Sequence, residues 1–130
     1  MLRMLFMLAM FSGWPRTGLP ILHLTTVGAR SGLPRTVPLG WFPDGENRWL
    51  VVASTGGAAR HPDWYVNMAK NPDQVWIQLG KRRVRVRPES LRGAEREEAW
   101  QRVVAATPTY GDYQKKTDRV IPVVRLTPVD

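Results

Sequence analysis

The stretch ILHLTTVGARSGLPRTVPLGWF, residues 21–42, decides the fold. Ile21 to Thr26 is a short apolar and β-branched run that reads as a buried strand, ending at Gly28. Thr36 to Phe42 resumes a strand pattern. Between them Gly28 to Arg35 is a loop that neither matches GxxxxGK[ST] or GxGxxG nor leads into a helix, so it is not one of the usual nucleotide-binding turns. Downstream, Arg48 to Ser54 is a third strand, expected to form a hairpin with Thr36 to Phe42 around the turn formers Pro43, Asp44, Gly45 and Asn47.

Thr55 to Arg60 is a glycine-bearing loop, and His61-Pro62-Asp63 starts a short helix through Ala69 that Asn71-Pro72 stops. Gln74 to Leu79 and Lys81 to Pro88 form a second hairpin around Gly80, in which Val84 and Val86 alternate with Arg83, Arg85 and Arg87 as in a strand with one wet face. Ala94 to Ala106 has helical spacing, with Glu95, Glu97 and Glu98 in its first half and Trp100, Val103 and Val104 behind them. Tyr110 to Asp118 shows no clear periodicity, and Ile121 to Leu126 is a last strand. The sum is an α+β protein of about six mainly antiparallel strands, as a barrel or sheet, with two or three helices including one at the N-terminus.

Upstream, Met1 to Trp14 (MLRMLFMLAMFSGW) has an apolar run shorter than the roughly 20 residues that cross a bilayer, which leaves a helix packed on the domain or lying on a membrane surface. Arg3 before that run also fits a signal peptide, although Ser12-Gly13-Trp14-Pro15 is a poor cleavage site. The expected division is residues 1–20 as apolar helix and connector and residues 21–130 as one domain, since 130 residues support a single core.

Nineteen Lys and Arg against eleven Asp and Glu give a net charge of +8, which favours anionic partners. The absence of cysteine excludes disulfides, thiolate metal sites and cysteine nucleophiles, and permits a reducing cytosol. His23 and His61 alone cannot build a structural zinc site, so no metal is expected. His61 reads as a residue leading into a helix, and His23 as a satisfied core or barrel residue. The basic run from Lys81 to Arg87 lacks interleaved aromatics for stacking bases and reads as a solvated strand face, so no nucleic-acid partner is expected.

In the loop, the two glycines let backbone N–H groups converge, Ser31 adds a hydroxyl, and Arg30 and Arg35 supply planar donors suited to phosphate or carboxylate. That is an anion cradle; a tight solvent-facing turn with two surface arginines has the same sequence. Ser54 and Gly56 lie where hydroxyls and backbone can approach a ring. Trp64 fits a core position as well as a ligand contact, and Asn67 follows one helical turn later. Tyr110 and Tyr113 are also one turn apart and can face a common cleft, or simply anchor a loop.

Leu24-Thr25-Thr26-Val27-Gly28, then Arg30 to Arg35 with Pro38-Leu39, Ala53-Ser54 with Gly56-Gly57, His61 to Asn67, and Tyr110-Gly111-Asp112-Tyr113-Gln114 with Thr117-Asp118-Arg119 and Ile121-Pro122 together resemble the deazaflavin-dependent nitroreductase family. The resemblance runs from about Ile21 to the C-terminus. It implies a split β-barrel that binds the 8-hydroxy-5-deazaflavin coenzyme F-420, ahead of FMN. It also implies that Arg30, Ser31 and Arg35 hold the phosphate and tail, that Pro38, Ser54, Gly56, Trp64 and Asn67 line the deazaflavin and its ribityl chain, and that Tyr110 and Tyr113 border the acceptor.

The implied activity is hydride transfer from reduced coenzyme to a conjugated acceptor (quinone, enone or nitroaromatic); the alternative is a non-catalytic coenzyme-binding or sequestering protein. Thr55 stands where the best-known nitroreductase of the family has a lysine, and Gly40 and Lys116 stand in place of aromatics. A wider, more polar acceptor pocket is therefore expected. The expected partners are a small-molecule acceptor and, through residues 1–14, a membrane surface. The expected assembly is a monomer or homodimer, located in the cytoplasm or at the inner face of the cell membrane.

Overall fold

The computed structural model describes residues 19–54 and 60–129. The expected N-terminal helix and the Gly56 site lie outside these residues. Seven antiparallel strands form one curled sheet in the order β2-β1-β5-β6-β7-β4-β3: β1 (Ile21–Val27), β2 (Pro34–Gly40), β3 (Phe42–Pro43), β4 (Trp49–Val52), β5 (Trp76–Leu79), β6 (Arg82–Ser90) and β7 (Val123–Pro128). Among the described residues, helices α1 (Asp63–Lys70), α2 (Gly93–Ala106) and α3 (Thr109–Lys115) accompany the sheet in an α+β architecture.

The long strand β6 makes the curl. Arg82 to Arg85 pair with β5, whereas Val86 to Ser90 pair with β7, so one strand belongs to both halves of the split barrel. Within the curl Leu22, Leu24, Trp49, Val51, Ile77, Val86, Val124 and Leu126 pack with Trp64 and Met68 of α1. A second cluster, Phe42, Leu50, Val52, Leu91, Ala99, Val103, Ile121 and Val123, lies under α2 with Tyr110 and Tyr113 of α3 against it. Neighbours along β4 thus feed opposite clusters, as do Val123 and Val124 of β7, which explains the uninterrupted apolar run of β4. The arginines of β6 are exposed, as its alternation predicts.

Three expectations are corrected. Thr36 to Phe42 is not one strand paired with Arg48 to Ser54: β2 pairs along its whole length with β1, and only Phe42 and Pro43 pair with β4. The break falls at Trp41, whose N–H turns to the carbonyl of Pro20, so that run divides into β2 and β3. The aperiodic segment after Pro108 begins with α3, which is too short to be stable alone and is held by Tyr110 and Tyr113 on the second cluster and by the close approach of Gly111 to Val104. His23 is exposed rather than buried, because it lies on the wet face of β1.

Asp44, 3% exposed, closes the turn between β3 and β4 through charge. Its carboxylate accepts from Arg125 Nε at 2.6 Å and Arg102 Nη2 at 3.2 Å, with Arg48 Nε at 3.3 Å. Arg125 also donates to Glu95 at 2.8 Å, joining β7 and α2 to the turn. Burial alone would lower the Arg125 pKa, but the hydrogen bonds to Glu95 and Asp44 outweigh it and raise the value.

Candidate functional site

The loop between β1 and β2 is closed by its own backbone. Gly28 N–H donates to the Leu33 carbonyl at 2.8 Å, Gly32 N–H returns to the Gly28 carbonyl at 2.9 Å, and Leu33 N–H donates to Ser31 Oγ at 3.2 Å. Gly32 takes φ +69°, the left-handed turn a glycine adopts without strain. A Cβ on Gly28 would overlap the Ser31 hydroxyl. Gly28→Ala is therefore expected to leave the fold intact and displace that hydroxyl from Leu33 N–H, costing about 1 kcal/mol of stability, measurable by urea unfolding. No change in stability would show that Ser31 relaxes freely.

Helix α1 fixes the loop from below. Asn67, 8% exposed, accepts from Ala29 N–H at 3.0 Å and donates to Thr26 Oγ1 at 3.2 Å, and Asn71 Nδ2 donates to the Val27 carbonyl at 3.3 Å. Arg30, Ser31 and Arg35 are exposed on this anchored turn. Two guanidinium groups and a hydroxyl on a rigid, open loop form a donor set that fits an extended anionic tail.

The remaining nominated residues are spread more widely. Arg35 is opposite Thr26 in the β1–β2 register and belongs to the inner face, whereas Pro38 is opposite His23 and belongs to the outer, exposed face. Trp64 is buried in the first core cluster, leaving little surface for a ligand. Ser54, half-buried, follows the end of β4, and its carbonyl accepts from Arg119 Nη2 at 2.8 Å. Tyr110 and Tyr113 meet edge to face at 5.5 Å, and Tyr110 meets Phe42 at 5.7 Å. Burial, and then the neighbouring Tyr113, raise the Tyr110 pKa, so its phenol stays protonated.

The widening expected at Gly40 is absent. A Cβ there would lie 2.7 Å from Leu19 Cδ1 and 2.9 Å from Leu19 Cβ, so Leu19 fills the space of the missing side chain. Lys116 places its ammonium 5.8 Å from the Tyr113 ring centre. That residue does bring charge beside the tyrosine.

Two contacts near Ser54 could not be paired from sequence. Arg119 Nη1 is 3.1 Å from His61 Nδ1, and a guanidinium only donates, so Nδ1 accepts and the imidazole proton sits on Nε2. Burial first, and then the Arg119 charge, lower the His61 pKa and keep the ring neutral. The second is Gln114 of α3, which donates to the Arg119 carbonyl at 2.8 Å and accepts from Ile121 N–H at 3.0 Å. The motif Thr117-Asp118-Arg119 was visible, but its partners lie 58 and 65 residues away. Beside His61 a cleft of about 380 Å³ opens between α1 and the β6–α2 junction, bordered by Tyr65, Arg92, Arg96, Val120 and Pro122. Among the described residues, none of the nominated site residues lines it.

Among the described residues no cluster of His, Cys, Asp and Glu could hold a metal ion, and no helix is long and apolar enough to cross a membrane. Residues 10–128 match the family described as F420H(2)-dependent quinone reductase. The F420H(2)-dependent quinone reductase of Mycobacterium tuberculosis is 41% identical over 111 residues, covering 83% of this chain and 73% of that protein. A solved F420-H2 dependent reductase (FDR-A) superimposes with TM-score 0.72 at 42% identity, over 82% of this chain and 93% of that one. A structure described as a domain-swapped dimer superimposes with TM-score 0.73 at 37% identity, over 96% of both chains.

Proposed function

The chain belongs to the F420H(2)-dependent quinone reductase family, and from that premise we propose how its residues serve the reaction. It is a coenzyme F-420-dependent oxidoreductase with a split-barrel fold. In our reading the acceptor is a small conjugated molecule of the quinone type, with enones and nitroaromatics as further candidates. When bound, the reduced deazaflavin supplies a hydride from its C5.

The protein supplies grip and orientation. Arg30, Ser31 and Arg35 hold the phosphate and acidic tail, Asn67 fixes the loop that carries them, and Ser54 and Gly56 approach the ring. The observation that carries this reading is the Asn67 bridge from Ala29 N–H to Thr26 Oγ1, which ties the basic loop to the core before any ligand arrives. Tyr110 and Tyr113 stand at the acceptor, where a protonated phenol orients a carbonyl or donates the proton that accompanies the hydride.

Steady oxidation of reduced coenzyme across a panel of quinones, enones and nitroaromatics tests this. Turnover is expected with quinones, and Tyr113→Phe is expected to lower kcat about tenfold or more while coenzyme affinity holds. Binding without turnover on any acceptor would instead support a sequestering protein. We also read the chain as a cytoplasmic homodimer whose residues 1–14 dock on the membrane where quinones reside. Light scattering should give twice 14.8 kDa, and removal of residues 1–14 should abolish sedimentation with anionic vesicles. A monomer mass, or unchanged sedimentation, contradicts the corresponding part.

A further inference from the structure

Ser54 is followed in the chain by the segment bearing Gly56, and that segment leads back through Arg60 to His61. A single side chain from the far end of the protein spans both sides. Arg119 donates through Nη2 to the Ser54 carbonyl at 2.8 Å and through Nη1 to His61 Nδ1 at 3.1 Å. The two acceptors belong to different elements: Ser54 continues from β4, whereas His61 precedes α1 and packs its ring, tilted, with its centre 4.8 Å from that of Tyr65. One planar guanidinium therefore fixes the distance between the end of a sheet strand and the start of the helix that carries Asn67.

Arg119 is itself held at several points. Gln114 Nε2 donates to its carbonyl at 2.8 Å, its own N–H donates to Thr117 Oγ1 at 3.3 Å, and Ile121 N–H is fixed by Gln114 Oε1 at 3.0 Å. Gln114 lies on α3 next to Tyr113. A continuous chain of hydrogen bonds thus runs from the helix of the two tyrosines, through Gln114 and Arg119, to Ser54 and His61. From there α1 leads to Asn67 and the Ala29 N–H of the basic loop. The bonds of Arg119 to His61 and Ser54, and of Ala29 to Asn67, join segments 58, 65 and 38 residues apart, the kind of contact that sets relative position rather than local secondary structure.

We propose that Arg119 is a positioning residue for coenzyme binding: by bridging Ser54 and His61 it holds the ring-facing end of β4 and the start of α1 at the separation the deazaflavin needs. The bridge uses two guanidinium nitrogens at once, a geometry a lysine ammonium cannot reproduce. It rests on the coenzyme reading above and adds a residue that touches neither tail nor acceptor in that reading.

The test is a fluorescence titration of oxidised coenzyme F-420 against wild type, Arg119→Gln, Arg119→Lys and His61→Ala, with thermal melting on the same samples. Arg119→Gln is expected to weaken the coenzyme about tenfold through loss of the charge-assisted bonds, and Arg119→Lys to recover only part of that. His61→Ala should weaken binding less, and in the double variant Arg119→Gln with His61→Ala the two losses should not add, because the partners act through one contact. Arg102→Ala serves as the comparison: it removes one contact to Asp44, touches neither Ser54 nor His61, and should lower the melting temperature without moving coenzyme affinity. Wild-type affinity in Arg119→Gln overturns the proposal. So does an equal loss in Arg102→Ala, which would mean affinity simply tracks stability. Failure of wild type to bind at all overturns the coenzyme reading first, and the positioning role with it.

Discussion

Replacing Asp44 by alanine is expected to lower the melting temperature by about 10–20 °C, the largest stability loss of any single substitution considered. The carboxylate is 4% exposed and receives Arg125, itself 10% exposed, at 2.6 Å, with Arg102 and Arg48 at the margin. Removing one partner of a buried pair leaves the other buried and uncompensated, which costs roughly 3–5 kcal/mol. In a domain of this size that converts to the quoted shift, at roughly 3–4 °C per kcal/mol. Arg125 would retain Glu95 at 2.8 Å, which limits the damage and keeps the estimate in that range. Asp44→Asn, still a hydrogen-bond acceptor, should lose less. Calorimetry on both variants checks this; a shift of only 1 or 2 °C for alanine would mean that the arginines reach solvent without cost.

The second large effect concerns affinity. The double substitution Arg30→Ala with Arg35→Ala is expected to weaken coenzyme binding about 100-fold at low salt. Each arginine is taken to contribute about 1.4 kcal/mol to a phosphate or carboxylate, toward the low end for charge-assisted bonds because both side chains are exposed. The same variant should lose most of the salt dependence of wild type, since screening acts on the charges removed. Its melting temperature should hold, because neither side chain is buried. Unchanged affinity in that variant would return Gly28 to Arg35 to the status of an ordinary surface turn.

Much of the fold was legible where one element decides its own structure. The existence of strand β1, the hairpin around Gly80 and the acidic-then-apolar pattern of α2 all follow from local residue pattern, and each appears within a few residues of its expected bounds. The break at Trp41 was not legible, because it depends on Pro20 and Leu19 reaching across from another segment. Helix α3 escaped for a related reason: its seven residues are helical through contacts with α2 and Phe42 rather than through their own pattern.

The site divides in the same way. The loop from Gly28 to Arg35 announced its chemistry in its residue types, and Asn67 was nominated from its spacing after Trp64. What anchors the loop, by contrast, is a bond from Asn67 to a residue 38 positions earlier, and the bridge at Ser54 comes from 65 positions later. The Asp44 cluster joins residues 81 apart. Pairings of that range are set by how the sheet curls, which no local window contains. Gly40 shows the converse, since the gap its sequence implied is filled by Leu19.

The central claim is that the chain binds a deazaflavin coenzyme with its tail on the Gly28 to Arg35 loop. Its most direct test is a backbone amide NMR titration of the isotope-labelled protein with oxidised coenzyme F-420. The account predicts that the largest shifts at saturation fall on Ala29 to Arg35, Ser54 and Asn67. Saturation with shifts confined to the cleft of His61, Arg92 and Arg96, or no saturable shifts at all, would contradict it.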